Sequence, residues 1–323
     1  TPALKLSTFC PVLITVRLLG FAPRTSLNDI GDTLIGGTGN DELRVEGASN
    51  YSLTSNQLFV GNLVHQFSEI EAVRLTGTSG NNTIDASSAL LSDRTFLFGL
   101  EGNDTIKGSQ GLDQINGGSG DDSIVGGAGF NFLHGQSGND TLIGGNDGNS
   151  FDGDEGNDLL QGGAGRDSFE DFFDGAGDDR YIGGAGSEDS LFISADANFR
   201  LVSFANDPNK SLLTGGKVVF GNLDDSATGT DTLEGIETVT IQGGDSVNII
   251  DASNANQNVT LIAGGGGDLM KGGRGNDSLI GSFSDNDNLS GGLGNDTLTG
   301  NGGFNTGEVD ILYQFKLNRG QMG

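Results

Sequence analysis

The sequence GGSGDDSIVGGAGFNFLHGQSGNDTLI, residues 117–143, consists of three consecutive nine-residue units, each beginning with glycine. Places one to six of the unit are rich in glycine, asparagine and aspartate, which favour turns and left-handed backbone. Places seven to nine have an apolar residue at their centre, which is Ile124, Leu133 or Leu142. Because strand side chains alternate between two faces, place eight points inward and its neighbours point outward. The unit therefore predicts a tight turn followed by a short strand.

The same unit recurs along much of the chain. Eight units run without insertion from Gly99 to Glu170, two more follow an insertion at 171–173, and a second array begins near Ala263. A short outlier, GGTGNDELR, occupies residues 36–44. Two units make one coil, and stacked coils would place parallel strands about 4.8 Å apart over a shared core of place-eight residues. We therefore predict an all-β fold, a parallel β-roll or β-solenoid.

The composition is strongly acidic and rich in glycine. Glycine supplies 58 of 323 residues, and 44 acidic residues against 16 basic ones give a formal net charge of -28. This charge argues against nucleic acid or an anionic membrane as a partner, and it suits cations. Disorder is disfavoured because the apolar residues are placed periodically.

The N-terminal segment has a different character. Residues 9–22 are apolar, but Pro11 and Arg17 interrupt them, and the run is too short to predict a transmembrane span. The segment is either a signal-like remnant or an extended edge strand or cap. Cys10 is the only cysteine, which excludes a disulfide within the chain.

Several units resemble a known repeat. GLEGNDTIK at 99–107 and GGRGNDSLI at 272–280 resemble the GGxGxDxUx nonapeptides of the RTX (repeats-in-toxin) family. The resemblance implies a parallel β-roll with a calcium ion in each gap between turns, and secretion by a type I exporter. The chemistry agrees, because Ca²⁺ takes about six to eight oxygen ligands and turn carbonyls with a place-six carboxylate can supply them. The alternative is a metal-free solenoid with solvated acids, in which stacked carboxylates would repel each other.

The predicted cofactor is therefore calcium, in multiple copies, bound by place-six aspartates and their equivalents. The candidate metal ligands are Asp32, Asp41, Asp104, Asp113, Asp122, Asp140, Asp158, Asp167, Asp179, Asp268, Asp277, Asp287 and Asp296.

Alternate units should lie on opposite sides of the roll, which divides the first array into two rows. One row contains Asp104, Asp122, Asp140 and Asp158, and we call it the acidic row. The other contains Asp113, Asn131, Asn149 and Asp167, and we call it the mixed row. Fewer carboxylates weaken a calcium site, and Arg166 adds a positive charge beside the mixed row. We predict that the acidic row is fully loaded and the mixed row is sparse.

The same reasoning extends beyond the first array. In the second array the aspartates fall on both sides of the roll, so both sides should bind calcium there. Asn82 and Asn248, where the nonapeptides resume after longer insertions, should be metal-free.

Two longer segments are related to each other. NYSLT at 50–54 parallels NFRLV at 198–202, and NNTIDAS at 81–87 parallels VNIIDAS at 247–253. We call these segments cassettes, and their alternating apolar residues predict strands. They are either wider coils of the same stack or small separate β domains. The predicted divisions are 1–26 (N-terminal segment), 27–44 (short units), 45–98 (first cassette), 99–191 (first roll), 192–262 (second cassette), 263–308 (second roll) and 309–323 (C-terminal segment).

Catalytic motifs are missing from the sequence. Neither His65 nor His134 belongs to an HExxH helix, and the chain has no GxSxG or CxxC motif. His134 falls at place nine and is predicted to be a plain surface residue. The acidic pairs recur in every repeat, so they indicate calcium binding rather than acid–base catalysis. We expect a protein that is not an enzyme.

The predicted function is that of a secreted, extracellular or cell-surface calcium-binding protein with a structural or adhesive role in a matrix, surface layer or filament. Its roll would fold when calcium binds outside the cell. The apolar segments 9–22 and 311–317, which have bases nearby, suggest head-to-tail self-association by strand addition. The alternative for these ends is intramolecular capping. The alternative function is the non-catalytic secretion and folding part of a larger extracellular enzyme, such as a lipase or protease.

Overall fold

The computed structural model describes residues 13–17, 24–25, 33–35, 39–90, 94–171, 177–195, 197–204, 207–219, 222–224, 230–283, 285–301 and 306–308. Within these ranges the chain forms strands, turns and bends and no helix. None of these residues belongs to a helix that could cross a membrane. The predicted ligand Asp32 and the C-terminal segment 309–323 lie outside the described residues, as does most of segment 1–26.

The strands are short and follow one another along the whole described chain. The first nine are β1 (Leu13–Arg17), β2 (Arg24–Thr25), β3 (Thr33–Ile35), β4 (Glu42–Glu46), β5 (Asn50–Thr54), β6 (Gln57–Val60), β7 (Leu63–Ser68), β8 (Ala72–Thr76) and β9 (Thr83–Ser88). The next eleven are β10 (Arg94–Glu101), β11 (Thr105–Lys107), β12 (Leu112–Ser119), β13 (Ser123–Val125), β14 (Asn131–Ser137), β15 (Thr141–Ile143), β16 (Asn149–Glu155), β17 (Leu159–Gly163), β18 (Ser168–Asp171), β19 (Arg180–Gly184) and β20 (Ser190–Ser194). The last twelve are β21 (Asn198–Phe204), β22 (Asp207–Val219), β23 (Asn222–Asp224), β24 (Thr230–Glu234), β25 (Thr238–Gln242), β26 (Ile249–Asn254), β27 (Asn258–Ile262), β28 (Leu269–Lys271), β29 (Ser278–Ile280), β30 (Asn288–Ser290), β31 (Thr297–Thr299) and β32 (Thr306–Glu308).

Successive strands of the repeats alternate between two sheets. Sheet A has 14 strands in the order β2-β1-β4-β8-β10-β12-β14-β16-β18-β20-β25-β27-β29-β31. Sheet B contains the other strands, among them the parallel run β9-β11-β13-β15-β17-β19. Ile115 pairs with Leu133 in sheet A, and Ile124 pairs with Leu142 in sheet B. The pairing confirms the predicted parallel β-solenoid, in which two nonapeptides form one coil.

The core is a column of place-eight side chains between the two sheets. In the first array these residues are all fully buried, and they are Ile106, Ile115, Ile124, Leu133, Leu142, Phe151, Leu160 and Phe169. The rings of Phe151 and Phe169 stack with centroids 4.8 Å apart, and Tyr181 packs edge-on against Phe169. Each coil therefore contributes two place-eight side chains to the core, which continues through the coils above and below, as expected of a solenoid.

Both cassettes contribute strands to the same two sheets. In the first cassette, β8 pairs in parallel with β4 and β10 in sheet A, while β9 leads into β11 in sheet B. The additional length forms antiparallel excursions, β5-β6-β7 in the first cassette and β21-β22-β24 in the second. The cassettes are thus wider coils that continue the stack, which is the first of the two alternatives considered above.

The N-terminal end of sheet A is covered by this chain itself. Strand β1 pairs antiparallel with β4, from Leu13 opposite Glu46 to Arg17 opposite Glu42, and β2 then pairs with β1. An exposed edge of β4 would present unpaired backbone groups to other chains. Strand β1 therefore acts as an intramolecular cap of this edge.

Candidate calcium sites

Place-six residues lie at the start of each strand or just before it, on the two sides of the roll. The acidic row precedes strands β11, β13, β15 and β17 of sheet B. In the mixed row, Asp113, Asn131 and Asn149 lie within the first two residues of β12, β14 and β16 of sheet A, and Asp167 precedes β18. All of these place-six side chains are buried. The turns therefore bring one place-six side chain per coil into register on each side.

Within the acidic row, one oxygen of each carboxylate binds the preceding coil. Oδ1 of Asp122 accepts the backbone N–H of Asp104 at 2.7 Å, and Oδ1 of Asp140 accepts that of Asp122 at 2.7 Å. Oδ1 of Asp158 accepts the N–H of Asp140 in the same way. This ladder holds the carboxylates one above another at the spacing of the coils.

The other oxygen of each carboxylate in the acidic row is buried without a protein partner. Oδ2 of Asp104, Asp122, Asp140 and Asp158 makes no hydrogen bond to any described residue. Burial, followed by repulsion from neighbouring carboxylates, raises the pKa of Asp122 to about 7 and that of Asp158 to about 8. A buried carboxylate oxygen without a partner is costly. The donor chemistry of this row fits a bound cation such as Ca²⁺.

The glycine at place one is required by the carboxylate of its own unit. A Cβ added to Gly99, Gly117, Gly135 or Gly153 would overlap with Oδ2 of the place-six aspartate five residues later. The carboxylate occupies the space that any larger side chain would need. The regularity of glycine at this place therefore has a steric cause in the site itself.

The aspartates of the mixed row have protein partners for both oxygens. Oδ2 of Asp113 accepts the backbone N–H of Ser109 at 2.8 Å, and Oδ1 accepts the hydroxyls of Ser109 and Thr95. Oδ2 of Asp167 accepts the N–H of Gly163 at 2.9 Å. Burial still raises the pKa of Asp113 to about 6, although these hydrogen bonds oppose the shift. These carboxylates are held by the protein alone.

The asparagines of the mixed row supply a donor where the acidic row has none. Nδ2 of Asn131 donates to the Gly129 carbonyl at 3.1 Å and to Oδ1 of Asn149 at 3.0 Å. Nδ2 of Asn149 donates to the Asp147 carbonyl at 2.6 Å and to Oδ1 of Asp167 at 3.0 Å. A turn carbonyl and a place-six oxygen are the same kinds of ligand that calcium uses. The amide NH₂ group therefore satisfies oxygens that a cation would otherwise hold.

Asn82 lies one coil before Asp104, the first residue of the acidic row, and it likewise has an amide in place of a carboxylate. Its Nδ2 donates to the carbonyls of Thr78, Gly80 and Gly99 and to Oδ1 of Asp104. Four oxygens thus surround a single amide nitrogen. At the second cassette, Asn248 begins the equivalent ladder, with its backbone N–H donating to Oδ1 of Asp268 at 2.6 Å.

The second array places its predicted ligands on both sides of the roll. Asp268 and Asp287 precede strands of sheet B, whereas Asp277 and Asp296 precede strands of sheet A. Both oxygens of Asp277 and of Asp287 accept hydrogen bonds. Oδ2 of Asp296 is buried with no hydrogen-bond partner among the described residues. This array therefore contains both kinds of carboxylate environment.

The remaining predicted ligands lie beside the cassettes. Asp179 extends the acidic row, because its Oδ1 accepts the N–H of Asp158 at 2.8 Å, and its Oδ2 accepts the Tyr181 hydroxyl at 3.3 Å. Asp41 is buried before β4, and its N–H donates to Oε2 of Glu71 at 2.9 Å.

The sequence analysis missed four acidic residues that take part in these ladders. Asp189 accepts the N–H of Asp167, and its Oδ2 has no hydrogen-bond partner among the described residues. Its unit contains one extra residue, Glu188, at a φ of 76°, which displaces the aspartate from place six. Asp231 accepts the N–H of Asp179 from 52 residues away, inside a cassette without glycine repeats.

The other two missed residues are glutamates in matching positions of the two cassettes. Oε2 of Glu71 accepts the N–H of Asp41, and Oε2 of Glu237 accepts the N–H of Asp189, both at 2.9 Å. The related sequences EIEA and GIET contain these glutamates and could have indicated their role.

Comparison with known proteins agrees with this geometry. The family model described as the RTX calcium-binding nonapeptide repeat (4 copies) matches residues 28–51, 74–88, 98–133, 117–151, 134–169, 257–279, 262–286 and 282–306. A search of curated proteins finds no significant match. The family matches cover residues 98–169 of the first array, the second array as far as residue 306, the short outlier and the exit of the first cassette. The chain therefore belongs to the RTX calcium-binding nonapeptide repeat family.

Proposed function

We propose that this chain is a secreted structural or adhesive protein whose β-roll folds when calcium binds outside the cell. The observation that supports this proposal best is the acidic row, in which four buried carboxylate oxygens have no hydrogen-bond partner among the described residues. Without a counter-ion these stacked charges oppose folding. Bound calcium would neutralise the charge and join the turns of successive coils.

The charge of the whole chain supports the same mechanism. At a formal net charge of -28, self-repulsion favours an expanded chain when calcium is scarce. A ligand that binds only the folded state stabilises that state by mass action. Low calcium inside a cell would therefore leave the chain suited to export, and the higher calcium outside would fold it.

We further propose that calcium occupies the two rows of the first array unequally. Asp104, Asp122, Asp140 and Asp158 would hold it together with the turn carbonyls of the same side. The amides of Asn131 and Asn149 already satisfy the corresponding oxygens of the mixed row. Equal and full occupancy of both rows in a calcium-bound crystal structure would contradict this proposal.

Calcium titration of the chelated protein tests the folding switch. Circular dichroism should show a partly unfolded, marginally stable chain in chelator and a full β spectrum as calcium is added, and calorimetry in parallel gives the number of ions bound. A fully folded β spectrum in chelator, unchanged by calcium, would disprove the switch. Titration with Mg²⁺ is the control, because Mg²⁺ demands a smaller octahedral site and gives up its waters reluctantly.

We propose a non-enzymatic role with self-association through the ends of the stack. Among the described strands, sheet A ends at β31, which pairs with β29. An open strand edge favours pairing with another chain. Since β1 already covers β4 within the chain, the contact would involve the β31 end. Sedimentation in calcium would detect such association, and a strictly monomeric protein at high concentration would contradict it.

A further inference from the structure

A second kind of ligand cluster lies on the outer face of sheet A. His134 of β14 and Asp152 of β16 are directly paired across neighbouring coils, and Asp154 lies two residues further along β16. One ligand atom from each of the three side chains lies within 4.8 Å of the other two. Nδ1 of His134 is 3.7 Å from Oδ2 of Asp152.

The residues of this cluster differ from the candidate calcium ligands. His134 and Asp152 occupy place nine and Asp154 occupies place two, whereas the candidate calcium ligands occupy place six. The charge of Asp154 also contributes to the raised pKa of Asp140 and of Asp158 in the acidic row. All three side chains are partly buried, which leaves them open to an ion from solvent. They belong to paired parallel strands, so the backbone keeps them in register without a ligand.

We propose that His134, Asp152 and Asp154 form a binding site for a divalent transition-metal ion, with Zn²⁺ as the best fit. An imidazole nitrogen suits zinc and its neighbours in the transition series, whereas calcium prefers oxygen ligands. Zinc commonly takes three protein ligands and leaves a further position to water or an outside donor. Coordination would bring one atom of each side chain to about 2 Å from the ion.

The surrounding charges favour a cation at this position. Glu170 is the direct partner of Asp152 in the next coil, and its charge also acts on His134. Glu155 acts in the same way on Asp154. A simple histidine–aspartate ion pair involves one carboxylate, whereas the charges of Asp152, Asp154 and Glu170 all act on His134.

The neighbouring coils supply substitutions that the fold already tolerates. Asn116 is the partner of His134 in the preceding coil, so H134N puts the neighbouring coil's residue at this place. Asp154 has a φ of 64°, and Gly118 occupies the equivalent place two coils earlier at a φ of 119°. D154G therefore removes a carboxylate and relieves a left-handed residue at the same time.

The test uses the full chain in saturating calcium, with Zn²⁺ followed by calorimetry and Co²⁺ followed by its visible absorption. The wild-type protein should bind one Zn²⁺ at this site. H134N and D154G should each weaken binding by more than about tenfold, because even changes outside the ligand shell cost about 10- to 100-fold. E101Q, an exposed acid away from the cluster, is the matched control.

Circular dichroism in calcium shows that each variant is folded before zinc is added. Equal zinc affinity in H134N and the wild type would overturn the proposal, as would displacement of the ion by millimolar calcium. A Co²⁺ spectrum that is the same with and without His134 would also overturn it. Because zinc is measured with the calcium sites saturated, these outcomes are independent of the calcium-driven folding proposed above.

Discussion

At the scale of single residues, two kinds of turn differ in one atom of the place-six side chain, which is Oδ2 in aspartate and Nδ2 in asparagine. Aspartate in the acidic row leaves a buried oxygen without a protein partner, whereas asparagine in the mixed row places a donor between the same oxygens. The backbone ladder continues through both kinds of turn, because Oδ1 of either residue accepts the N–H of the coil before.

Exchanging these residues should move calcium dependence between the rows. D122N should remove at least one bound calcium ion and stabilise the chelated protein, because the new amide can donate as Asn131 does. N131D should have the opposite effect on chelated stability. Calorimetric stoichiometry and thermal melts in chelator measure both effects. If D122N destabilised the chelated roll, the amide would not replace the cation as described.

A methyl group at place one should damage the site sterically. In G117A the new Cβ would overlap with Oδ2 of Asp122, and overpacking of this kind costs about 1–3 kcal/mol. We expect weaker calcium binding and a lower urea midpoint in calcium. G80A is the control, because a Cβ there would contact nothing within 4 Å. Equal losses in the two variants would show that the carboxylate does not set the requirement for glycine.

At the scale of the elements, the three-residue strands depend on a single column of side chains. Ile124 in β13 is fully buried between its partners in β11 and β15. I124A should cost about 2–5 kcal/mol of stability in calcium, because it removes buried methyl groups and leaves a cavity. Urea unfolding measures the loss, and V125A, at a half-buried place in the same strand, is the control. A similar loss in V125A would contradict the assignment of the core.

The acidic row should make the metal-free roll less stable as the pH rises. The pKa values of Asp122, Asp140 and Asp158 are raised to about 7, 6 and 8, chiefly by burial, whereas an unfolded aspartate titrates near about 3.9. The folded chain therefore binds more protons across this interval, so its stability is greatest below pH 4 and declines up to about pH 8.

Urea midpoints in calcium-free buffer at pH 5 and pH 8 test this dependence. The midpoint should be higher at pH 5, and the triple variant D122N/D140N/D158N should reduce the difference. A midpoint that rises with pH in the absence of calcium would contradict the assignment of these carboxylates as buried and unsatisfied.

At the scale of the whole molecule, strand β1 should protect the N-terminal end of sheet A from association with other molecules. Strand β1 covers the edge of β4, so deleting residues 1–26 would expose that edge and increase association in calcium. Sedimentation velocity measures the change, and a deletion variant that associates less than the full chain would instead show that this segment joins different molecules.

The periodicity of the sequence was sufficient to predict the solenoid, its core and the division of place-six residues into two rows. It could not predict the partners that satisfy Asp113 and Asp167, since Ser109 and Gly163 donate through backbone groups that every unit possesses. Asp189 was hidden by a one-residue insertion, and Asp231 by a separation of 52 residues from Asp179. Contacts that depend on turn conformation or on distant segments leave no periodic signal.

The amide-filled turns have a consequence for how the protein responds to its surroundings. Each coil of two nonapeptides has two place-six positions. Aspartate at such a position can bind an ion from the medium, whereas asparagine supplies an internal hydrogen-bond donor. On the function proposed above, the number of carboxylates without a protein partner would set how many ions must bind before the stack is complete, and hence how steeply folding depends on calcium concentration. Asn82, Asn131 and Asn149, whose amides donate to the oxygens of these turns, would then reduce the number of ions that the first array must bind.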